Sequence, residues 1–266
     1  MRAQPISAMR RYEWARRTAW TVRELAIRVA ARGRGVPLTL NGLPVRVDAA
    51  RRHQFSADYE TLVAAFLDQR IQRGSEIWNV GANVGVYALQ LGAWVGPRGR
   101  VLAFEPNPDA ARVLMENVRL NGLGDRVEIV PLAIGEKSGE VDLYARGVEG
   151  MSRPGRPNPL LDRSKAVRVA VTTLDDVSEQ RQLRPSWIIM DIEGWEIAAL
   201  RSARTLLRHS HFVIELHPSA WPWSGHSRSD LEELLSELGL EAVPLTGQAD
   251  PLGQHGHVFI EGSGSA

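Results

Sequence analysis

The 266-residue chain carries 44% hydrophobic residues and a formal net charge of +1, enough apolar material for one large domain or one domain with an appendage. It has no cysteine, which excludes disulfides, thiolate metal sites and cysteine nucleophiles, and agrees with a reducing, cytoplasmic setting. No segment approaches the ~20 uninterrupted apolar residues that span a bilayer, and Arg28 breaks the best apolar stretch near the N-terminus, so the expectation is a soluble chain without a signal peptide.

Charge is unevenly placed. Residues 1–35 hold nine arginines against Glu13 and Glu24, a local +7 that leaves −6 for the remainder. Trp14, Thr18, Val22, Leu25 and Val29 fall at helical spacing, with Arg16 and Arg23 opposite, which predicts a basic amphipathic helix. Its apolar stripe is expected to pack on the body or a second subunit, or to rest peripherally on an anionic membrane surface. No nucleic-acid motif accompanies the arginines, so nucleic acid is not an expected partner.

"VPLTLNGLPVRVDA" (36–49) reads as a hairpin turning at Asn41-Gly42, a pair that tolerates positive φ. A helix over about 57–72 follows. Strand and helix then alternate: strand 76–80, helix 85–94, strand 100–105, helix 109–120, strand 127–131. Short strands at 139–145 and 167–173 flank a Pro-, Gly- and Arg-rich loop (146–165) of the length that usually serves as a lid. "SWIIMDIEG", a helix over about 195–208, "HFVIELHP", a helix over about 229–238 and strands near 240–245 and 256–261 complete the chain. Such alternation predicts a doubly wound, mostly parallel α/β sheet with helices on both faces, closed by an antiparallel hairpin. Residues 1–54 read as a helix and hairpin appendage, 55–261 as the main domain and 262–266 as a disordered tail.

In doubly wound sheets ligands bind beyond the carboxyl ends of the strands, where strand order reverses. The residues there are "NVGANVG" (79–85), Glu105-Pro106-Asn107, Asp191-Ile192-Glu193-Gly194 and Glu215-Leu216-His217. Gly81 and Gly85 permit a sharp strand-to-helix turn and close approach of a ligand to the backbone, at a helix start that offers unpaired N–H groups. Glu105 ends the next strand and suits a carboxylate accepting from two ribose hydroxyls. A nicotinamide-dependent oxidoreductase also uses a glycine turn followed by an acid, but its G-x-G-x-x-G would need glycine where Asn83 and Val86 stand. A single nucleoside carrying an amino-acid tail, S-adenosyl-L-methionine, fits better.

The blocks "WNVGANVGVYAL", "VLAFEPNPDAARVLMENVRLNGL", "VEIVPLAIGEKSGEVDLY", "VTTLDDV", "WIIMDIEGWEIAAL" and "FVIELHP" resemble the FkbM-type S-adenosylmethionine-dependent methyltransferases, in order, over roughly residues 55–261. The resemblance implies a Rossmann-like class I methyltransferase fold with a seven-stranded sheet. It implies O-methylation of a hydroxyl on a sugar, polyketide or other natural product, with a small-molecule or glycan acceptor. It implies further that Gly81, Ala82, Asn83 and Gly85 line the methionine moiety, that Glu105 holds the ribose, that Ala133 borders the adenine, that Asp191 faces the reacting methyl, and that Asn79 and Pro106 belong to the cofactor-binding set. Asn79 stands where the family has aspartate, and Met190 where it has lysine; Asn79 keeps hydrogen-bonding capacity and loses a negative charge. Those departures motivate a second reading, a methyltransferase-like scaffold that binds without catalysis.

The titratable candidates for handling the acceptor's proton are Asp191, Glu193 and His217. Asp191 is expected to contribute most, and His217 reads equally as a packing or capping histidine. Glu196 reads as a first-turn glutamate favoured by the helix dipole. Asp175-Asp176 reads as a helix start, and no metal is assigned. Trp221 and Trp223 read either as a platform for a sugar ring or as core.

Overall fold

The computed structural model describes residues 22, 26–27, 29–31, 33–144, 153–154 and 166–262. The expected basic helix and its membrane or subunit contact lie largely outside the described residues; of its stripe, Val22 and Val29 are described, both helical and exposed. The 146–165 loop, apart from Arg153 and Pro154, and the tail beyond Gly262 also lie outside them.

β1 (Val36–Leu40) and β2 (Leu43–Val47) form the predicted hairpin. Asn41 and Gly42 adopt φ of +45° and +84°, the left-handed conformations that a two-residue turn demands. Leu40, Val45 and Val47 enter the main core, and the side-chain oxygens of Asn117 and Asn121 accept from the backbone N–H groups of Asp48 and Arg46. The hairpin is thereby tied to the helix that carries Asn117 and to its C-cap, Asn121.

The remaining strands are β3 (Glu76–Val80), β4 (Arg100–Phe104), β5 (Val127–Val130), β6 (Ala133–Ile134), β7 (Gly139–Tyr144), β8 (Arg153–Pro154), β9 (Ala166–Thr172), β10 (Trp187–Met190), β11 (His211–Leu216), β12 (Ala242–Pro244) and β13 (Gly256–Ile260). Seven of them build the main sheet in the order β12-β13-β11-β10-β3-β4-β5. From β11 to β5 all neighbours are parallel; β13 runs antiparallel between β11 and β12. The closing hairpin is therefore present, with its second strand inserted into the sheet. Because β10 returns to the opposite side of β3 from β4, strand order reverses between β3 and β10.

The helices are α1 (Thr61–Asp68), α2 (Val86–Trp94), α3 (Pro108–Leu120), α4 (Leu174–Arg181), α5 (Glu196–Arg201), α6 (Trp221–Ser224) and α7 (Arg228–Leu238). Successive strand residues alternate between two cores, as a pleated strand buried on both faces requires. Ile77, Ala103, Ile189 and Val213 pack with α1–α3, while Trp78, Leu102, Ile188 and Phe212 pack with α4, α5 and α7. Met190 belongs to the second core and is 1% exposed. Among the described residues, no helix is long and apolar enough to cross a membrane.

Two helices differ from expectation. The helix expected over 57–72 spans only Thr61–Asp68, because Glu60 is left-handed at φ +43° and its carboxylate is engaged by Tyr87 and His257. The helix expected over 195–208 stops at Arg201 and resumes as a single 3-10 turn at Leu206–Arg208. There Ser202 Oγ donates to the Ala199 carbonyl and accepts from Leu174 N, and the Asp175 carboxylate accepts from Thr205 N and Leu206 N, so side chains compete for the groups a continuous helix would use. β7 and β9 pair with each other, and with β6 and β8 form a separate four-stranded sheet. Asp175 and Asp176 do lie at a helix start, where Thr173 Oγ1 caps Asp176 N.

The β3–β10 junction depends on one glycine. A Cβ on Gly81 would lie 1.8 Å from the Asp191 carbonyl oxygen, and φ there is +83°. Gly81→Ala is expected to cost at least about 3 kcal/mol, through steric overlap plus left-handed strain, measured as a fall in the denaturation midpoint at unchanged slope.

Candidate active site

The turn after β3 is held from both flanks. Gly81 N and Ala82 N donate to the Phe104 carbonyl of β4 at 3.0 and 2.9 Å, and Asp191 N donates to the Val80 carbonyl at 3.0 Å. Gly81, Asn83 and Gly85 all have positive φ, at +83°, +47° and +102°. Gly85 is the cap of α2 and sits against Leu114, where a Cβ would come within 2.7 Å of Cδ1.

Glu105 follows β4 and is 5% exposed. Its Oε2 accepts from Asn83 N and its Oε1 from Asn107 N, each at 2.7 Å, so one carboxylate ties the glycine turn to the start of α3. Burial pushes the carboxyl up to about 7, against the two N–H groups that favour its charged form.

These residues wall a cavity of about 330 Å³. Of the residues expected to hold a cofactor, Asn79, Gly81, Ala82, Asn83, Glu105, Pro106, Ala133 and Asp191 all line it; Gly85 does not, since it shapes the turn from behind. Asn79 is 2% exposed and its Oδ1 has no hydrogen-bond partner, leaving a buried acceptor at the cavity wall. Tyr59, Tyr87, Ile134, Leu143 and Trp195 line the cavity as well and were not expected. Tyr87 and Trp195 lie just past the two motifs, so helical geometry could have found them. Leu143 arrives from the small sheet, for which the sequence carries no local signal.

At one end of the cavity the Asp191–Gly194 turn meets the chain after β11. Glu193 and Gly194 have φ of +55° and +106°, and a Cβ on Gly194 would lie 2.5 Å from that of Ala220. His217 Nε2 lies 3.5 Å from Glu193 Oε2 and 3.9 Å from Asp191 Oδ1, while Nδ1 lies 3.0 Å from Glu196 Oε1. The three expected catalytic residues are thus brought together, and His217 neither caps a helix nor fills the core.

Glu196 has a larger part than its place in a first turn suggests. It is fully buried, and its carboxylate accepts from Gly194 N at 2.6 Å and Trp221 Nε1 at 2.8 Å besides facing His217. Trp221 is correspondingly a core residue at 1% exposure, whereas Trp223 is exposed. Burial alone would lower the His217 pKa, but the Glu196 hydrogen bond and the charges of Glu196, Glu193 and Asp191 outweigh it and raise it to about 9. Burial, followed by the charges of Glu215 and Glu193, pushes the Asp191 carboxyl well above the usual range. Glu215 pairs with His255 at 2.8 Å, and the His255 ring lies 4.8 Å from that of His217.

Comparison with known proteins bears on this constellation. A hexuronic acid methyltransferase, AglP of Haloferax volcanii, is 27% identical over 189 residues, covering 67% of this chain and 68% of that protein. The crystal structure of methyltransferase FkbM from Methylobacillus flagellatus superposes with a TM-score of 0.49 at 19% identity, over 72% of this chain and 44% of that one, so the chain spans less than half of that protein. The family model for the methyltransferase FkbM domain matches residues 79–242, more than half of the chain. That span opens at Asn79 and takes in the glycine turn, Glu105, the Asp191–Gly194 turn, Glu196 and His217, and it shows that this chain belongs to the FkbM methyltransferase family.

Proposed function

We propose that this chain transfers the methyl group of S-adenosyl-L-methionine, the cofactor of its family, to a hydroxyl oxygen of a sugar or sugar acid. The observation that carries this reading is the meeting of Asp191, Glu193 and His217 beside the cavity that the glycine turn and Glu105 also wall. The sugar-acid acceptor is supported by the similarity to the hexuronic acid methyltransferase.

The residues present fit the cofactor. The buried Asn79 Oδ1 lacks a donor, which an ammonium group at the methionine end would supply. Glu105, whose oxygens each already accept one backbone N–H, retains lone pairs for two ribose hydroxyls. Ala133 and Pro106 offer apolar wall for a base. When bound, S-adenosylmethionine supplies an electrophilic methyl group on a cationic sulfur. The chain holds the acceptor oxygen in line and takes its proton, tasks that fall to Asp191 and Glu193 with His217 beside them.

Two outcomes test this. Hydrogen bonds from ribose favour ionised Glu105, whose carboxyl is raised from 4.5 to about 7 in the folded chain, so cofactor binding must displace a proton below that pH. Calorimetric affinity for S-adenosylhomocysteine should therefore rise as pH climbs toward 7, by up to about tenfold per pH unit, and flatten above it. Glu105→Gln should bind weakly and without that pH dependence. With labelled cofactor and a glycan fraction rich in sugar acids, Asp191→Asn or Glu193→Gln should lower kcat by ~10²–10⁴-fold. A loss below tenfold in both variants would remove these carboxylates from the proton's path.

A further inference from the structure

Two adjacent strand ends deliver unlike ligand atoms to one point. The turn after β10 supplies the carboxylates of Asp191 and Glu193, and the segment after β11 supplies the His217 imidazole. One donor atom from each lies within 4.8 Å of the other two. Atoms bound to one divalent ion at ~2.0–2.2 Å stand about 3.0–3.5 Å apart at neighbouring vertices. The separations of 3.5 and 3.9 Å from His217 Nε2 are close to that spacing.

Three observations sharpen the pattern. The Asp191 Oδ1 atom is buried and has no hydrogen-bond partner, a state that costs about 1–3 kcal/mol unless a donor or cation satisfies it. His217 Nδ1 is held by Glu196, which is itself fully buried and fixed by Gly194 N and Trp221 Nε1. That is the carboxylate–histidine arrangement that leaves Nε2 as the ligating atom and sets the plane of the ring. Among the described residues, Asp191, Glu196 and Glu215 form ion pairs with histidines and with no arginine or lysine.

We propose that Asp191, Glu193 and His217 bind a divalent cation, with Glu196 positioning the histidine. Two carboxylate oxygens and one imidazole nitrogen, with further positions open to oxygen, suit Mn²⁺ better than the all-oxygen preference of Mg²⁺ or Ca²⁺. The open positions accept a bidentate oxygen ligand, either vicinal hydroxyls or a hydroxyl beside a carboxylate. An anionic sugar can then approach a cluster that would otherwise repel it. The cation makes the coordinated hydroxyl more acidic, and the second oxygen of each carboxylate remains to take its proton. Use of the site in catalysis rests on the methyltransferase reading; cation binding itself does not.

The test uses the full chain, stripped with a chelator and titrated with Mn²⁺ alone, followed by calorimetry and by loss of the free Mn²⁺ paramagnetic resonance signal. One Mn²⁺ per chain is expected. Asp191→Asn and His217→Ala should each weaken it at least tenfold, and Glu196→Gln ~10–100-fold, while Glu237→Gln, at an exposed acid paired with Arg204, leaves it unchanged. Circular dichroism verifies that each variant is folded; if His217→Ala is not, His217→Gln is read in its place. Absence of Mn²⁺ binding at millimolar concentration, or wild-type affinity in the folded Asp191 and His217 variants, overturns the proposal. A parallel titration with S-adenosylhomocysteine separates the two readings: its binding without a Mn²⁺ site sinks the cation alone, and a Mn²⁺ site without its binding sinks the methyltransferase reading alone.

Discussion

The backbone of Gly81 lies against the carbonyl of Asp191 so closely that a single added carbon would overlap it at 1.8 Å. This contact is possible only with hydrogen in place of a side chain and only with φ in the left-handed region, and the cavity exists because of it. It lets β3 and β10 run side by side up to their carboxyl ends and then part, sending "GANVG" one way and "DIEG" the other. The Asp191 N to Val80 carbonyl bond carries the ladder to the last residue before the parting. Glu105 braces the third side, bridging Asn83 N and Asn107 N. Chain segments distant in sequence thereby face one volume at fixed separation, which is what a positioned reaction requires.

The polar half of the site is built on a buried carboxylate that never faces the cavity. An ionised Glu196 at zero exposure would be costly without compensation. Three donors, Gly194 N, Trp221 Nε1 and His217 Nδ1, provide it. Each donor belongs to a different piece of the site: the turn after β10, the short helix α6 and the strand end of β11. Satisfying one acid therefore fixes three elements relative to one another and orients an imidazole toward two further carboxylates. The contrast with Asn79 and Asp191 is informative. Each of them keeps a buried oxygen without a hydrogen-bond partner at the cavity wall.

Much of the fold was legible in the sequence because the dominant forces are local or periodic. Buried parallel strands require continuous apolar runs, amphipathic helices a 3.6-residue repeat, and tight turns glycine or asparagine; "EIWNV", "RVLAF" and "WIIM" show the first directly. The two helix mismatches have one cause, side-chain bonds that override local preference. Glu60 starts its helix late because Tyr87 and His257 engage its carboxylate, and Ser202 and Asp175 interrupt a helix whose residues would otherwise continue it. β7 and β9 had the look of strands, but nothing local told that they would leave the main sheet for one of their own.

By itself the sequence determined which residues stand at the carboxyl ends of the strands: Gly81, Glu105, Asp191, Glu193 and His217. Doubly wound topology sends the carboxyl ends of parallel strands to one edge, and residue type at those ends is a local property. What only the tertiary structure decided is how those residues stand toward one another. Glu196 looked like an ordinary first-turn acid until the packing of α6 brought Trp221 onto it, and His217 read equally as a proton-handling and as a packing or capping histidine until its two nitrogens were seen to face different carboxylates. Gly85 looked like part of the binding turn, and instead packs behind it against Leu114. The physical reason is that hydrogen bonding and burial are pairwise properties of groups far apart in the chain, so they acquire values only once the sheet order has set who is adjacent to whom.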